Sequence, residues 1–441
     1  MTECNPGGLL FSSINRQKVV GDFEGGRLTS DAGALLLREV DRRVGLTATL
    51  AAGISDPRTP QKIAHDLESM LAQRIYGIAL GYEDLNDHAT LREDPVFQVL
   101  AERSPHADTP LASPSTLCRF ENNLNRASLW RLSAVFVEQF MASFKRAPKE
   151  LILDFDATDV AVHGHQERRF FHGYYDSYCF LPLYVFCGQQ RLCAYLRPSN
   201  IDAAKHSRAI LKLIVQRLRQ QWPGVRIVLR ADSGFCRWRM LRWCDRHDIG
   251  YVVGLARNSV LEAMAAPFME QAAQRFERSG HKQRRFHEFR YAAATWDRKR
   301  RIIVKAEHLP QGPNCRFVVT NLRKTPSRIY DGLYVARGDM ENRIKEQQLA
   351  LFADRASCHK FLANQFRLFL ASAAYVLFEH LRRTALKGTE LAAAQVQTIR
   401  LKLLKVSARV RTSVRRVIFH FSSTYPYRQL FTQIVARLVP S

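Results

Sequence analysis

Apolar residues recur along this chain in two rhythms. In the first third the spacing is mostly helical, three and four residues apart. Residues 17–23 read as an extended piece that ends in the turn Glu24-Gly25-Gly26-Arg27. Thr29-Ser30-Asp31 then stands where a helix N-cap belongs, before a periodic run over 32–44. Asp56-Pro57-Arg58-Thr59-Pro60 is a break, and further helices are predicted over 61–80 and between 94 and 102. Ser113-Pro114-Ser115-Thr116 opens another helix, which carries Arg119 and Asn122 on its polar side. That pattern suits a recognition helix entering a DNA groove, and equally any surface helix. An apolar helix over 127–145 and a short polar break complete a mainly helical region, 1–148.

At residue 151 the rhythm changes to alternation. The stretch Leu151-Ile152-Leu153-Asp154-Phe155-Asp156 reads as a strand with two aspartates on one face. Aspartate is depleted in strands, so such a pair points to a cation or to acid–base chemistry, unless it caps the following turn. Strands are predicted over 178–187, 191–197, 226–231 and 251–255, with helices over 203–221 and 237–246. The order β-β-β-α-β-α-β matches a ribonuclease-H-like layout, a mixed five-stranded sheet with flanking helices. In that layout the first strand is central and the fourth lies beside it. Asp232, in Arg230-Ala231-Asp232-Ser233-Gly234-Phe235, ends the fourth strand and would stand near the first-strand aspartates. The plainer account of Asp232 is a cap for the next helix. His163, His165 and His172 have no standard zinc spacing and read as polar residues at the rim of the site.

Beyond residue 255 comes a helix over 259–275, then a basic cluster that includes Lys282, Arg284, Arg285, Arg298, Arg300 and Arg301. With strands over 301–306 and 315–320 it forms a β-rich insertion, 263–330, whose basic face suits the DNA backbone. On the following helix Tyr334, Arg337, Glu341, Lys345 and Gln348 share one face. Such a face is poor core material, and it suits a carboxylate holding a cation beside cations holding phosphate; an exposed i,i+4 ion pair is the alternative. A long apolar helix over 359–383 would cover the sheet, and 400–416 holds seven Lys and Arg and no acid, read as a basic helix followed by an extended piece.

Charge sharpens this picture. Lys and Arg number 66 against 41 Asp and Glu, a formal net charge of +25, so a polyanion such as nucleic acid is the expected partner. No apolar run in the sequence approaches the ~20 residues of a membrane span, and the N-terminus lacks a leader pattern. A cytoplasmic protein with no membrane and no small-molecule substrate is expected. The nine cysteines show no C-x2-C spacing and are expected as free thiols.

Together, Asp156-Ala157-Thr158, Arg230 to Phe235, and Tyr334-x2-Arg337-x3-Glu341-Asn342 resemble the DDE transposases of bacterial insertion sequences. The chain is most similar to their IS1380 group, within the IS4-like set, and shares with it Leu28 to Gly33 and Gly173-Tyr174-Tyr175-Asp176. The resemblance implies a ribonuclease-H-like core over 149–262 and 331–385, split by the insertion and followed by a basic region, 386–441. It implies Asp156, Asp232 and Glu341 as catalytic and metal-binding carboxylates, with Asp154 as a neighbour. Two Mg2+ ions, replaceable by Mn2+, would serve cleavage and strand transfer at terminal inverted repeats and target DNA, in a homodimer. Tyr334, Arg337 and Lys345 would hold the DNA end, and Arg119, Arg284, Arg285 and Arg300 would contact its backbone. Where the wider set has a Lys after the Glu, this chain has Gln348, with Arg343 and Lys345 close by.

Overall fold

A computed structural model describes residues 8–105 and 109–439. The chain divides into two compact units, one of residues 1–120 with 373–441, the other of residues 121–372.

The second unit is built on one mixed sheet of eight strands. They are β1 (Glu150–Ala157), β2 (Leu183–Cys187), β3 (Gln190–Tyr195), β4 (Arg226–Ala231), β5 (Ile249–Leu255), β6 (Gln283–Tyr291), β7 (Arg300–Leu309) and β8 (Gly312–Thr320). Across the sheet the order is β3-β2-β1-β4-β5-β8-β7-β6. β1, β4 and β5 run parallel, and every other neighbouring pair is antiparallel. The insertion is therefore not a separate lobe: β8 pairs directly with β5, and the expected five strands become eight. β6 was legible only as a cluster of basic residues, because Arg284, Arg285, Glu288 and Arg290 interrupt its alternation.

The strand period of two gives the sheet its two faces. Leu151, Leu153 and Phe155 of β1, with Ile227, Leu229 and Ala231 of β4, enter one large core. Helices Arg126–Ala142, Ser207–Gln221 and Trp238–Arg246 cover that face through Phe140, Leu211, Leu218 and Leu241. The even-numbered positions of β1 and β4 turn to the other face. Val252, Ile303 and Val318 there pack on Ile329 and Tyr330, from the short helix Pro326–Ile329 and the π-helical turn Tyr330–Tyr334.

The strand expected over 178–187 splits in two. Ser177–Phe180 leaves for a three-stranded sheet with Val160–Ala161 and Phe170–His172, and β2 starts only at Leu183. Pro182, without a backbone N–H, marks the break.

In the first unit, Leu9–Ile14 and Gln17–Gly21 form a hairpin, followed by helices Leu35–Val44 and Leu67–Leu80. The helix expected from residue 61 begins later, at Leu67, where the Asp66 carboxylate accepts from Ser69 N at 2.7 Å. Asp31 makes no cap. It is buried, ion-paired with Lys405 Nζ at 2.7 Å, and accepts from the Tyr82 hydroxyl at 2.8 Å. The basic helix and extended piece expected over 400–416 are the short π-helical turn Arg400–Leu404 and then a hairpin, Ala408–Thr412 with Val417–Phe421, which Leu28–Thr29 joins as a third strand. Arg400 is buried and donates to Ala79 O at 2.8 Å. The helix Phe361–Thr384 is, against expectation, long and apolar enough to cross a membrane; 83% of its most apolar window is buried in the protein, as in a core helix. The cysteines from Cys118 to Cys358 are free thiols, and Cys4 lies outside the described residues.

Candidate active site

β1 and β4 run parallel in a register that pairs Leu153 with Leu229, Asp154 with Arg230 and Phe155 with Ala231. One further step sets Asp232 beside Asp156. Neighbours in register point to the same face, so this face carries two successive polar rungs. In the first, the buried Asp154 carboxylate takes both Arg230 Nε and Arg230 Nη2, the latter at 2.8 Å. Arg230 Nη1 also donates to Leu333 O at 2.7 Å, tying the rung to the π-helical turn.

The second rung puts two acids together. Asp156 has one backbone donor, Ala157 N at 2.9 Å, and Asp232 has one, Gly234 N at 2.9 Å. Asp232 thus caps the short turn Ser233–Phe235 and keeps its place beside Asp156 as well. Burial, reinforced by the charge of Asp232, pushes the Asp156 carboxyl up to about 7. Glu341 adds to that push, and Arg337 opposes it.

The third carboxylate comes from helix Gly338–Leu351, entered through the π-helical turn and the 3-10 turn Val335–Arg337. Glu341 meets Arg337 Nη2 at 2.6 Å, while Arg337 Nη1 lies 3.7 Å from Asp156 Oδ2. The guanidinium therefore bridges two of the three acids. Burial works against the charge on Arg337, yet Asp156 and Glu341 hold its pKa above the ordinary value. Among the described residues no three Asp, Glu, His or Cys are close enough to hold a metal together. The chemistry of the donors nonetheless fits a hard divalent cation: carboxylate oxygens, two of them on one rung, with more negative charge than Arg337 neutralises.

Two contributors escape sequence reasoning. Arg230 reads there as an ordinary strand residue. Gly254 of β5 faces the site, and a Cβ there would fall 2.6 Å from Tyr334 Oη and 2.8 Å from Ser233 N. Only glycine lets β5 lie under both the tyrosine and the backbone that carries Asp232. A glycine inside an apolar strand is the signal that could have found it.

The remaining expected residues scatter. Tyr334 is partly buried beside the site, Lys345 is exposed on the helix that bears Glu341, and Gln348 donates to Asp159 O at 3.2 Å. Arg284 is paired on the surface with Asp331 at 3.0 Å, and Arg285 is exposed on β6. Arg300 is a correction. It is buried, bound to Asp297 at 2.8 Å and Asp245 at 3.2 Å, so its guanidinium cannot reach a phosphate in this fold. Arg119 is exposed on helix Pro114–Asn122, within the unit formed by the chain ends.

The family model described as "Transposase DDE domain group 1" matches residues 11–441. The chain belongs to that family, whose members use divalent metal ions. No curated protein matches it. Among solved structures it is similar to a piggyBac transposase synaptic complex with hairpin DNA, at 9% identity and a TM-score of 0.41, over 85% of this chain and 80% of that one.

Proposed function

We propose that the protein is a cut-and-paste DNA transposase of the IS1380 group, working through a ribonuclease-H-like core. The observation that carries this reading is the Asp156–Asp232 rung on adjacent parallel strands, approached by Glu341. The strand order β3-β2-β1-β4-β5 supports the ribonuclease-H-like assignment, with β8, β7 and β6 as the insertion. Asp156, Asp232 and Glu341 would hold two divalent ions, Mg2+ by preference, which when bound activate the attacking hydroxyl and stabilise the leaving oxygen.

The protein's own part is positioning and charge. Backbone N–H groups of Ala157 and Gly234 fix the two sheet carboxylates. Arg337 and Tyr334, at the edge of the rung, hold phosphate of the DNA end, and the exposed Lys345 adds a contact farther along the strand. Arg285 and Arg284 extend the path along β6, and Arg119 serves DNA from the other unit. Terminal inverted repeats and target DNA are the substrates, a homodimer the working form and the cytoplasm the site of action. Purified protein with Mg2+ and DNA bearing the element's ends should release those ends and join a 3′-OH to target DNA. Cleavage without joining would reduce the reading to a nuclease. Binding without cleavage in Mg2+ or Mn2+ would mean a DNA-binding descendant that has lost catalysis.

A further inference from the structure

Between β1 and β2 the chain leaves the large sheet and builds the three-stranded sheet of Val160–Ala161, Ser177–Phe180 and Phe170–His172. This small lobe leaves large rings in water: Phe170 is 39% exposed, Phe171 53%, Tyr178 47% and Tyr174, at the turn, 85%. Phe171 and Tyr178 are cross-strand partners with ring centroids 5.7 Å apart, so they share one face of the small sheet, and exposed rings paired in this way mark a binding surface.

The lobe is held firmly. Gln166 Nε2 donates to Ala356 O at 3.1 Å, Glu167 N to His359 O at 2.9 Å, and Ser199 Oγ to Phe170 O at 2.8 Å. The Glu167 carboxylate, though exposed, accepts from Phe361 N at 3.1 Å. Arg169 lies with its guanidinium carbon 4.8 Å from the centre of the Tyr178 ring and meets His165 Nδ1 at 2.9 Å. Arg168 is exposed beside it. The rings are thus presented in place, with cations next to them.

The lobe also adjoins the carboxylates. Its first strand begins four residues after Asp156, and Gln348, on the helix that carries Glu341, donates to Asp159 O at the lobe's entrance. Burial, and after it the charge of Asp159, pushes the Tyr175 hydroxyl up to about 12.

We propose that this lobe is a stacking platform for unpaired DNA bases beside the bond to be cut, with bases on Phe171, Tyr174 and Tyr178 and phosphates on Arg168 and Arg169. The proposal rests on the transposase reading and adds which form of DNA the site takes. Paired bases turn only their edges outward, whereas exposed rings offer faces that suit a base out of its duplex. A second copy of this chain would bring +25 of its own to the same arginines, so a polyanion fits the surface better.

The test uses the full chain, a fluorescent single strand of thymidines about 20 nucleotides long and a duplex of the same length. The double variant Phe171→Ala with Tyr174→Ala should weaken single-strand binding about tenfold and duplex binding by less than about twofold. Tyr174→Trp, which keeps a ring, should retain single-strand affinity. Equal losses on both DNAs, or no loss on either, overturn the platform. So does a drop in oligomer mass with both affinities intact, which would make the lobe a subunit contact. If the unmodified protein binds neither DNA, the transposase reading falls too; lost selectivity alone sinks only this proposal.

Discussion

Two neighbouring rungs of the same two strands behave in opposite ways. Asp154 opposite Arg230 is a closed pair: both carboxylate oxygens and all three guanidinium nitrogens have partners. Asp156 opposite Asp232, one step along the same face, sets acid against acid, with Arg337 3.7 Å away as the nearest cation. Like charges on adjacent strands destabilise a sheet, and a fold has no need of the second rung. Opposite charges in a buried rung anchor the strands, and like charges leave unmet potential for a cation. The contrast also separates Asp156 from Asp154, which the spacing in the strand leaves alike.

The strongest way to break the comparison is to exchange the roles. Asp156→Asn and Asp232→Asn should each lower DNA cleavage by more than about a thousandfold while the protein stays folded. Asp154→Asn should spare most of the activity that survives its effect on stability. A larger activity loss from Asp154→Asn than from Asp156→Asn would reverse the assignment. On the stability side the order inverts. Asp154→Ala leaves the buried Arg230 without its carboxylate and should cost ~3–5 kcal/mol in denaturant unfolding. Replacing both partners, Asp154→Leu with Arg230→Met, should recover most of that loss; a double variant no better than the single one would mean that the pair is not the source of the loss.

Gly254→Ala tests whether the second rung needs its support. The new methyl group meets Tyr334 Oη and Ser233 N at once, and the backbone contact cannot be relieved by a rotamer change. Activity should fall about a hundredfold through displacement of Asp232, and the pH dependence below should weaken as the two acids part. Adding Tyr334→Phe removes one of the two clashes and leaves the other. If Gly254→Ala cleaves DNA at the normal rate, β5 does not set the site.

The raised carboxyl of Asp156 gives the rung a signature in stability. With a folded value of about 7 against 3.8, the folded state binds the extra proton between those limits. Stability without divalent ions should therefore be highest below about pH 4 for this group and fall as pH rises through 7. Asp156→Asn should flatten that part of the curve in a urea titration at each pH, and Asp232→Asn should shift it to lower pH. An unchanged curve in Asp156→Asn would show that the two acids are not coupled.

These contrasts also explain how much could be read before the fold was known. The two faces of β1 and its place beside β4 were legible because period-two alternation sorts Leu151, Leu153 and Phe155 from Asp154 and Asp156, and the order of elements put β4 beside β1. Arg230 was not: a pairing across strands depends on register, which no single stretch of sequence states. The extension of the sheet by β8 was lost for a similar reason, since the strand that joins β5 is set by tertiary pairing. The motif from Leu28 to Gly33 read as a helix start because Thr and Ser favour caps; its aspartate is buried against a lysine more than three hundred residues away. Local rules see short-range partners, and the pairs Asp31–Lys405 and Asp154–Arg230 are long-range.

The same distinction between closed and open charges applies to the insertion, where it predicts the smallest effects. Arg300 and Arg285 look alike in the sequence, two cations of one basic cluster. Arg300 is closed by Asp297 and Asp245 in the interior, whereas Arg285 is exposed on the edge strand β6, with no ion pair among the described residues. Arg300→Ala should lower the unfolding temperature and leave the salt dependence of duplex binding unchanged. Arg285→Ala should alter stability by less than about 0.5 kcal/mol. It should reduce the slope of log affinity against log salt by about one, the value for one lost phosphate contact. If the slope responds to Arg300 and not to Arg285, DNA does not follow β6, and burial fails as the rule that separates scaffold cations from binding ones.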